Sequence, residues 1–161
     1  MLFRSVHLNY NTNGTVRPSK ELIELWSQFK LVQLDFSIDD IGPRFEYQRY
    51  GAKWPEVTEN LQWFIDNAPH NCMFAVNISV GILNHDNIEN LLVWLKKHFY
   101  TSRFTDPIEY RQQLVIGLFS LKNAHLRRDN IVNFLDQCDK RRGTNWKDVF
   151  PNLHDYLETD K

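Results

Sequence analysis

Residues 32–54 read VQLDFSIDDIGPRFEYQRYGAKW, and the run opens with strict alternation of apolar and polar side chains. A period of two places Val32, Leu34, Phe36 and Ile38 on one face of a strand and Gln33, Asp35, Ser37 and Asp39 on the other. The alternation stops at Asp39-Asp40. From there the chain reads as a loop to about Lys53, where Trp54-Pro55 opens a helix with proline at a favoured first position. Strand-to-helix connections usually take about 2 to 6 residues, and longer ones tend to carry function. This loop holds Arg44, Glu46, Tyr47, Arg49 and Tyr50. A polar strand face feeding a charged loop reads as a binding site.

The same pattern recurs on both sides. Residues 5–11 alternate, with Val6, Leu8 and Tyr10 opposite Ser5, His7, Asn9 and Asn11, and stop at the turn Asn11-Thr12-Asn13-Gly14. Pro18-Ser19 starts a helix to about Lys30 with Leu22, Leu25, Trp26 and Phe29 on one side. The helix opened by Pro55 buries Val57, Leu61, Phe64 and Ile65 and ends near Ala68-Pro69. Residues 72–83 form a third strand, with Phe74, Val76, Ile78 and Val80 opposite Met73, Ala75, Asn77 and Ser79. Asp86 and Glu89 make a capping box for a helix carrying Ile88, Leu91, Leu92, Leu95 and Phe99. Strand and helix alternate three times, which predicts parallel strands joined by right-handed crossovers.

Beyond Tyr100 the pattern weakens. Residues 103–113 read as irregular, and residues 114–119 as a short strand or the start of a helix. Residues 129–142 form a helix with Ile131, Phe134, Leu135 and Cys138 aligned and Gly143 as its cap. The tail is expected to pack through Trp146, Val149, Phe150, Leu153, Tyr156 and Leu157. The organisation expected is a core over residues 1–100 with a helical extension, residues 101–161, packed on the same domain.

Bulk properties narrow the function. A net charge of -1 provides no global field for nucleic acid or an acidic membrane surface. No apolar run approaches the roughly 18 to 20 residues of a membrane span. The 161 residues, 42% hydrophobic and 14% aromatic, suit one domain with a sizeable core. Cys72 and Cys138 lie far apart and match no metal spacing, so the expectation is buried free thiols in a reducing cytoplasm. His7 reads as a satisfied interior histidine and His85-Asp86 as a helix start. Arg127-Arg128 and Lys140-Arg141-Arg142 are short basic patches on or beside a helix, too little for nucleic-acid binding in a near-neutral chain, and Trp26, Trp63 and Trp94 are core or interface. No nucleophile elbow, P-loop or dinucleotide glycine motif is present.

The polar strand faces are the informative oddity. Parallel strands covered by helices on both sides read as near-continuous apolar runs, and these do not. Each unsatisfied polar group buried on such a face costs about 1 to 3 kcal/mol. The economical geometry is a parallel (β/α) part-barrel of three or four strands, with helices outside and a wet or ligand-filled interior. Its site would lie at the C-terminal strand ends, beside Asn11, Thr12 and Asn13, Ser37 and Asp39, and Asn77 and Ser79.

NYNTNG, then FSIDD, then RFEYQRYGAKWPEVTENL resembles the radical S-adenosylmethionine (radical SAM) enzymes, most of all the SPASM/twitch-type branch of marine bacteria and phages. The resemblance covers roughly residues 6–95 and, more faintly, TNWKDVFPNL near the end. It implies half of a TIM-like barrel, with the chain starting at the family's third strand. Met1 is then expected to be an internal methionine of a longer ancestor, or the start of a fragmentary reading frame. The resemblance also implies that Asn11, Thr12, Asn13, Ser37 and Asp39 help hold the ribose and methionine parts of S-adenosylmethionine, with Arg49 near the methionine carboxylate. Asn77 and Ser79 join them at the next strand end. The plainer structural readings are a turn for Asn13-Gly14, a strand-end cap for Ser37 and Asp39, and solvated ion pairs for Arg44, Glu46 and Arg49.

The family's Cys-x3-Cys-x2-Cys loop, which binds a 4Fe-4S cluster, is missing, as is its Gly-Gly-Glu-Pro-like motif. Two cysteines cannot replace three closely spaced thiolates. The expectation is a truncated radical-SAM-like protein with a partial S-adenosylmethionine pocket and no independent catalysis. The alternatives are a non-enzymatic binding or assembly module, or a subunit that completes a cluster-bearing partner chain in trans. An unpaired first strand predicts self-association as a dimer.

Overall fold

Four strands lie side by side in chain order, all parallel: β1 (His7–Thr12), β2 (Leu31–Ser37), β3 (Cys72–Val80) and β4 (Arg111–Leu114). The computed structural model describes residues 3–99, 111–114, 119 and 124–158. The register pairs Tyr10 with Leu34, Phe36 with Val76 and Asn77 with Arg111. Each connection steps one strand in the same direction, so right-handed crossovers bring all intervening helices to one face. The core agrees. Val32, Leu34, Phe36 and Ile38 join Phe74, Val76 and Ile78 in one buried cluster with Trp26 of α1 (Lys20–Trp26), Val57, Leu61 and Phe64 of α3 (Trp54–Asn67), and Leu91, Leu95 and Phe99 of α4 (Ile88–Phe99). The protein is an α/β fold built on a parallel sheet.

The opposite sheet face joins neither apolar cluster of the described residues. Asn9 and Asn11 are exposed, Gln33, Ser37 and Asn77 are half-buried, and Asp35 and Ala75 are buried. The expectation is a wide, wet or ligand-filled interior facing these groups, and the face satisfies part of itself. Gln33 donates to the Asp35 carboxylate at 2.8 Å, and Asn77 donates across two strands to Asn11 at 3.1 Å. Short amides one or two strands apart can reach one another, so a polar face need not enclose a ligand.

Several expected elements shift. The long loop after β2 is largely a helix, α2 (Gly42–Gln48), with Pro43 in its first turn and Phe45 and Tyr47 buried. Helix α1 ends at Trp26 rather than near Lys30, and Leu25 is exposed instead of packed. Helix α4 starts at Ile88, and the Leu91 amide donates to the Asn87 carbonyl, so the cap lies one residue beyond Asp86. Asp86 pairs with Arg44 instead. His7 is exposed, not interior. Residues 111–113, expected to be irregular, belong to β4; of residues 114–119 only 114 and 119 are described.

The C-terminal helices are α5 (Arg128–Arg142), α6 (Trp146–Val149) and α7 (Leu153–Glu158), with a single 3-10 turn, His125–Arg127, before α5. Gly143 caps α5 at φ 66°, as its position predicted. Ile131, Leu135, Trp146, Phe150, Leu153 and Leu157 form a second cluster with Tyr47 of α2 and Ile82 after β3. Helices α5, α6 and α7 therefore sit beyond the C-terminal ends of β2 and β3. Cys72 and Cys138 are buried and form no disulfide.

Candidate functional site

At the end of β2 two successive aspartates point to different jobs. The Asp39 carboxylate accepts from Arg49 through Nε at 3.1 Å and Nη2 at 2.6 Å, while its other oxygen accepts the Ser79 amide at 2.8 Å. It thus ties the ends of β2 and β3 to the residue that closes α2. Asn84 reinforces the corner: its amide donates to the carbonyls of Asp39 at 2.7 Å and Ser79 at 2.9 Å, and its oxygen accepts the Gly81 amide. Tight turns leave backbone groups without ladder partners, and a buried asparagine satisfies three of them here.

Asp40 turns inward and is 1% exposed. Its carboxylate accepts from the Ile41 amide at 2.9 Å, Arg44 Nε at 2.9 Å, Gln48 at 3.2 Å and Asn87 at 2.5 Å. Burial pushes its pKa above the ordinary carboxylate value, against the lowering pull of Asn87, Ile41 and Arg44. Arg44 also donates to the Leu83 carbonyl at 2.7 Å and to Asp86, and it lies over the Phe150 ring at 5.0 Å.

A cleft of about 270 Å³ opens beside Asp39, between the ends of β2 and β3 and helix α5. Asp39, Gln48, Ser79, Asn84 and Arg142 supply its polar wall, and Phe119, Phe134, Leu135 and Cys138 its apolar one. The Phe119 and Phe134 rings meet edge to face at 5.3 Å. Arg142 donates to the Tyr47 carbonyl at 2.9 Å and lies over the Tyr50 ring at 4.4 Å. Burial, then the Asp139 carboxylate that accepts its hydroxyl at 3.0 Å, raises the pKa of Tyr47, so it stays neutral.

The eight residues singled out from the sequence divide into three groups. Asp39, Arg49 and Ser79 meet through the Asp39 carboxylate; Asp39 and Ser79 line the cleft, and Arg49 sits behind Asp39 outside that lining. Asn11 and Asn77 pair on the polar sheet face, near the half-buried Ser37. Thr12 and Asn13 serve their own turn: Thr12 Oγ1 accepts the Gly14 amide at 3.1 Å, and Asn13 Oδ1 accepts the amide and hydroxyl of Thr15. Arg49, expected to await a ligand carboxylate, already holds an internal one. The sequence reading missed Asn84, Gln48, Phe134 and Arg142. Gly81-Ile82-Leu83-Asn84 carries a local turn signal, but nothing in the spacing of Phe134 and Arg142 points to a strand end some 50 residues or more upstream.

Among the described residues no three or more His, Cys, Asp or Glu side chains are grouped to hold a metal ion. No helix of the described residues is long and apolar enough to cross a membrane. No protein-family model matches this chain, and no curated protein or solved structure matches it significantly.

Proposed function

We propose that the sheet is a part-barrel of the radical-SAM type and that the cleft beside Asp39 is the remnant of its small-molecule site, binding S-adenosylmethionine weakly without catalysis. The observation that carries this reading is the junction of Asp39, Arg49 and Ser79 at the C-terminal strand ends, where α/β folds place their ligands. A guanidinium there is chemically suited to the methionine carboxylate, once exchanged from Asp39. Asp39, released, is a carboxylate for the sulfonium, and Phe119 with Phe134 offers aromatic surface to adenine. A chain with two cysteines cannot supply three thiolates to a 4Fe-4S cluster, so reductive cleavage would need a cluster-bearing partner. The cleft is smaller than the roughly 300 to 1,000 Å³ usual for ligand sites, which argues for weak, partial enclosure.

Titration calorimetry with S-adenosylmethionine tests the proposal. Saturable heat at millimolar ligand is expected for the wild type. It should be lost both in the Asp39→Ala, Arg49→Ala double variant and in Phe134→Lys, which removes the aromatic surface and brings a positive charge against the sulfonium. Absence of heat in the wild type would refute it.

A second reading, an assembly module, is favoured by one feature. Strand β1 has a described strand neighbour on one side only, and its sequence HLNYNT carries no lysine or proline to discourage edge pairing.

A further inference from the structure

A larger cavity, of about 430 Å³, shares Arg142 and Tyr47 with the Asp39 cleft and is otherwise separate from it. Pro43, Tyr50, Ala52 and Val149 give it apolar walls, and its charged lining is Arg142 and Lys53 against Glu46 alone. Glu46 is engaged within the wall: it accepts the Trp54 amide at 3.0 Å and pairs with Lys53 at 3.3 Å. That leaves Arg142, half-buried at the end of α5, as the uncompensated charge of the lining. Asp139, one helical turn before it, accepts instead from Tyr47, Thr144 and the Trp146 amide. A guanidinium carries five donor hydrogens, and the one bond Arg142 makes among the described residues runs from Nη1 to the Tyr47 carbonyl at 2.9 Å. Its Nε and Nη2 groups are not among the buried atoms left unpaired, so they stay open to approach. The head lies 4.4 Å over the Tyr50 ring, which lines this cavity and not the Asp39 cleft. The guanidinium itself, and not only its stem, is therefore part of this wall.

We propose that this cavity binds a small planar carboxylate, an aryl carboxylic acid in its anionic form, with Arg142 as the group that recognises the charge. A guanidinium stacked on a tyrosine ring presents its free edge as a fixed fork, which matches the two oxygens of a carboxylate. One uncompensated cation suits a monoanion better than a phosphate dianion. The Tyr50 ring, 69% exposed, and the side chains of Pro43 and Val149 offer apolar surface to the aryl group. The volume falls within the roughly 300 to 1,000 Å³ of ligand sites. The site does not depend on the function proposed for the Asp39 cleft.

Three probes test the site: benzoate, benzamide with the same shape but no charge, and acetate with the charge but no ring. Arginine Nε–H cross-peaks of ¹⁵N-labelled protein are followed during titration, with Arg142 assigned by its disappearance in Arg142→Gln. Benzoate should move the Arg142 peak saturably and bind about tenfold more tightly than either other probe, the scale of one charge-assisted hydrogen bond or one buried ring face. Arg142→Gln should erase the preference for benzoate over benzamide. Tyr50→Ala, at an exposed position, should weaken benzoate about fivefold while the fold persists. Benzamide or acetate binding as tightly as benzoate, or an Arg142 peak that benzoate leaves in place, would overturn the proposal.

Discussion

Asp40, Arg44 and Asp86 show how much one buried charge can organise. Arg44 bridges an inward carboxylate on the β2 exit to one before α4, and Asn152 from the C-terminal layer adds a donor to Asp86 at 3.3 Å. The two acids respond to pH with opposite sign. Burial raises Asp40, so its contribution is fullest at acid pH and declines as pH rises through its folded value. Asp86 is also pushed up by burial, but Arg44 and Asn152 outweigh this and lower its pKa below 3.8. Its contribution is therefore present above the unfolded value and lost as pH falls through the folded one. Urea unfolding of wild type and Asp86→Asn between pH 6 and about 2.5 is expected to show a stability gap at pH 6 that closes toward the acid end. A gap of constant size would remove Asp86 from the linkage.

At the level of elements, what a local pattern could reveal depended on how many side chains shared one direction. Strand β2 has a run of alternating residues, and α3, α4 and α5 each repeat their apolar face over three turns or more. Helix α2 has seven residues, and its two buried side chains, Phe45 and Tyr47, sit two apart, which is not a helical repeat. It is held by Arg44 and Gln48 reaching Asp40, contacts invisible to a window of sequence. Turns were more legible, because positive φ selects glycine. Gly143 stands at φ 66° with open space where a Cβ would be, whereas at Gly14, φ 72°, a Cβ would meet Val57 Cγ1 at 3.3 Å. Gly143→Ala is expected to cost about 1 kcal/mol from backbone strain alone, and Gly14→Ala more, about 2 kcal/mol. Equilibrium denaturation of both variants checks the order, which depends on the extra contact at Gly14.

For the whole molecule, the deciding matter is how the sheet ends. Val6 just before strand β1 and Tyr10 within it are exposed apolar side chains, each 39% accessible, beside an edge whose backbone groups can pair. Light scattering is expected to give twice the chain mass of 19.3 kDa, and Asn9→Lys with Tyr10→Lys to return the single-chain value. A wild-type mass of 19.3 kDa would mean that the edge is closed within the chain.

The sequence by itself determined the alternation of the first three strands with helices α1, α3 and α4, the parallel sense of those strands and which strand face meets the helices. Those properties come from side-chain periodicity and from the handedness of crossovers, both local in origin. Only the tertiary structure decided what the polar residues do. Asp39 found Arg49 and the Ser79 amide, Asn77 found Asn11, and Thr12 and Asn13 capped their own turn. A polar side chain takes whichever partner is within about 3 Å, and that distance is set by how distant segments pack. Helix α5 illustrates this: its own face was readable, but its placement across the strand ends, which makes the cleft, was not.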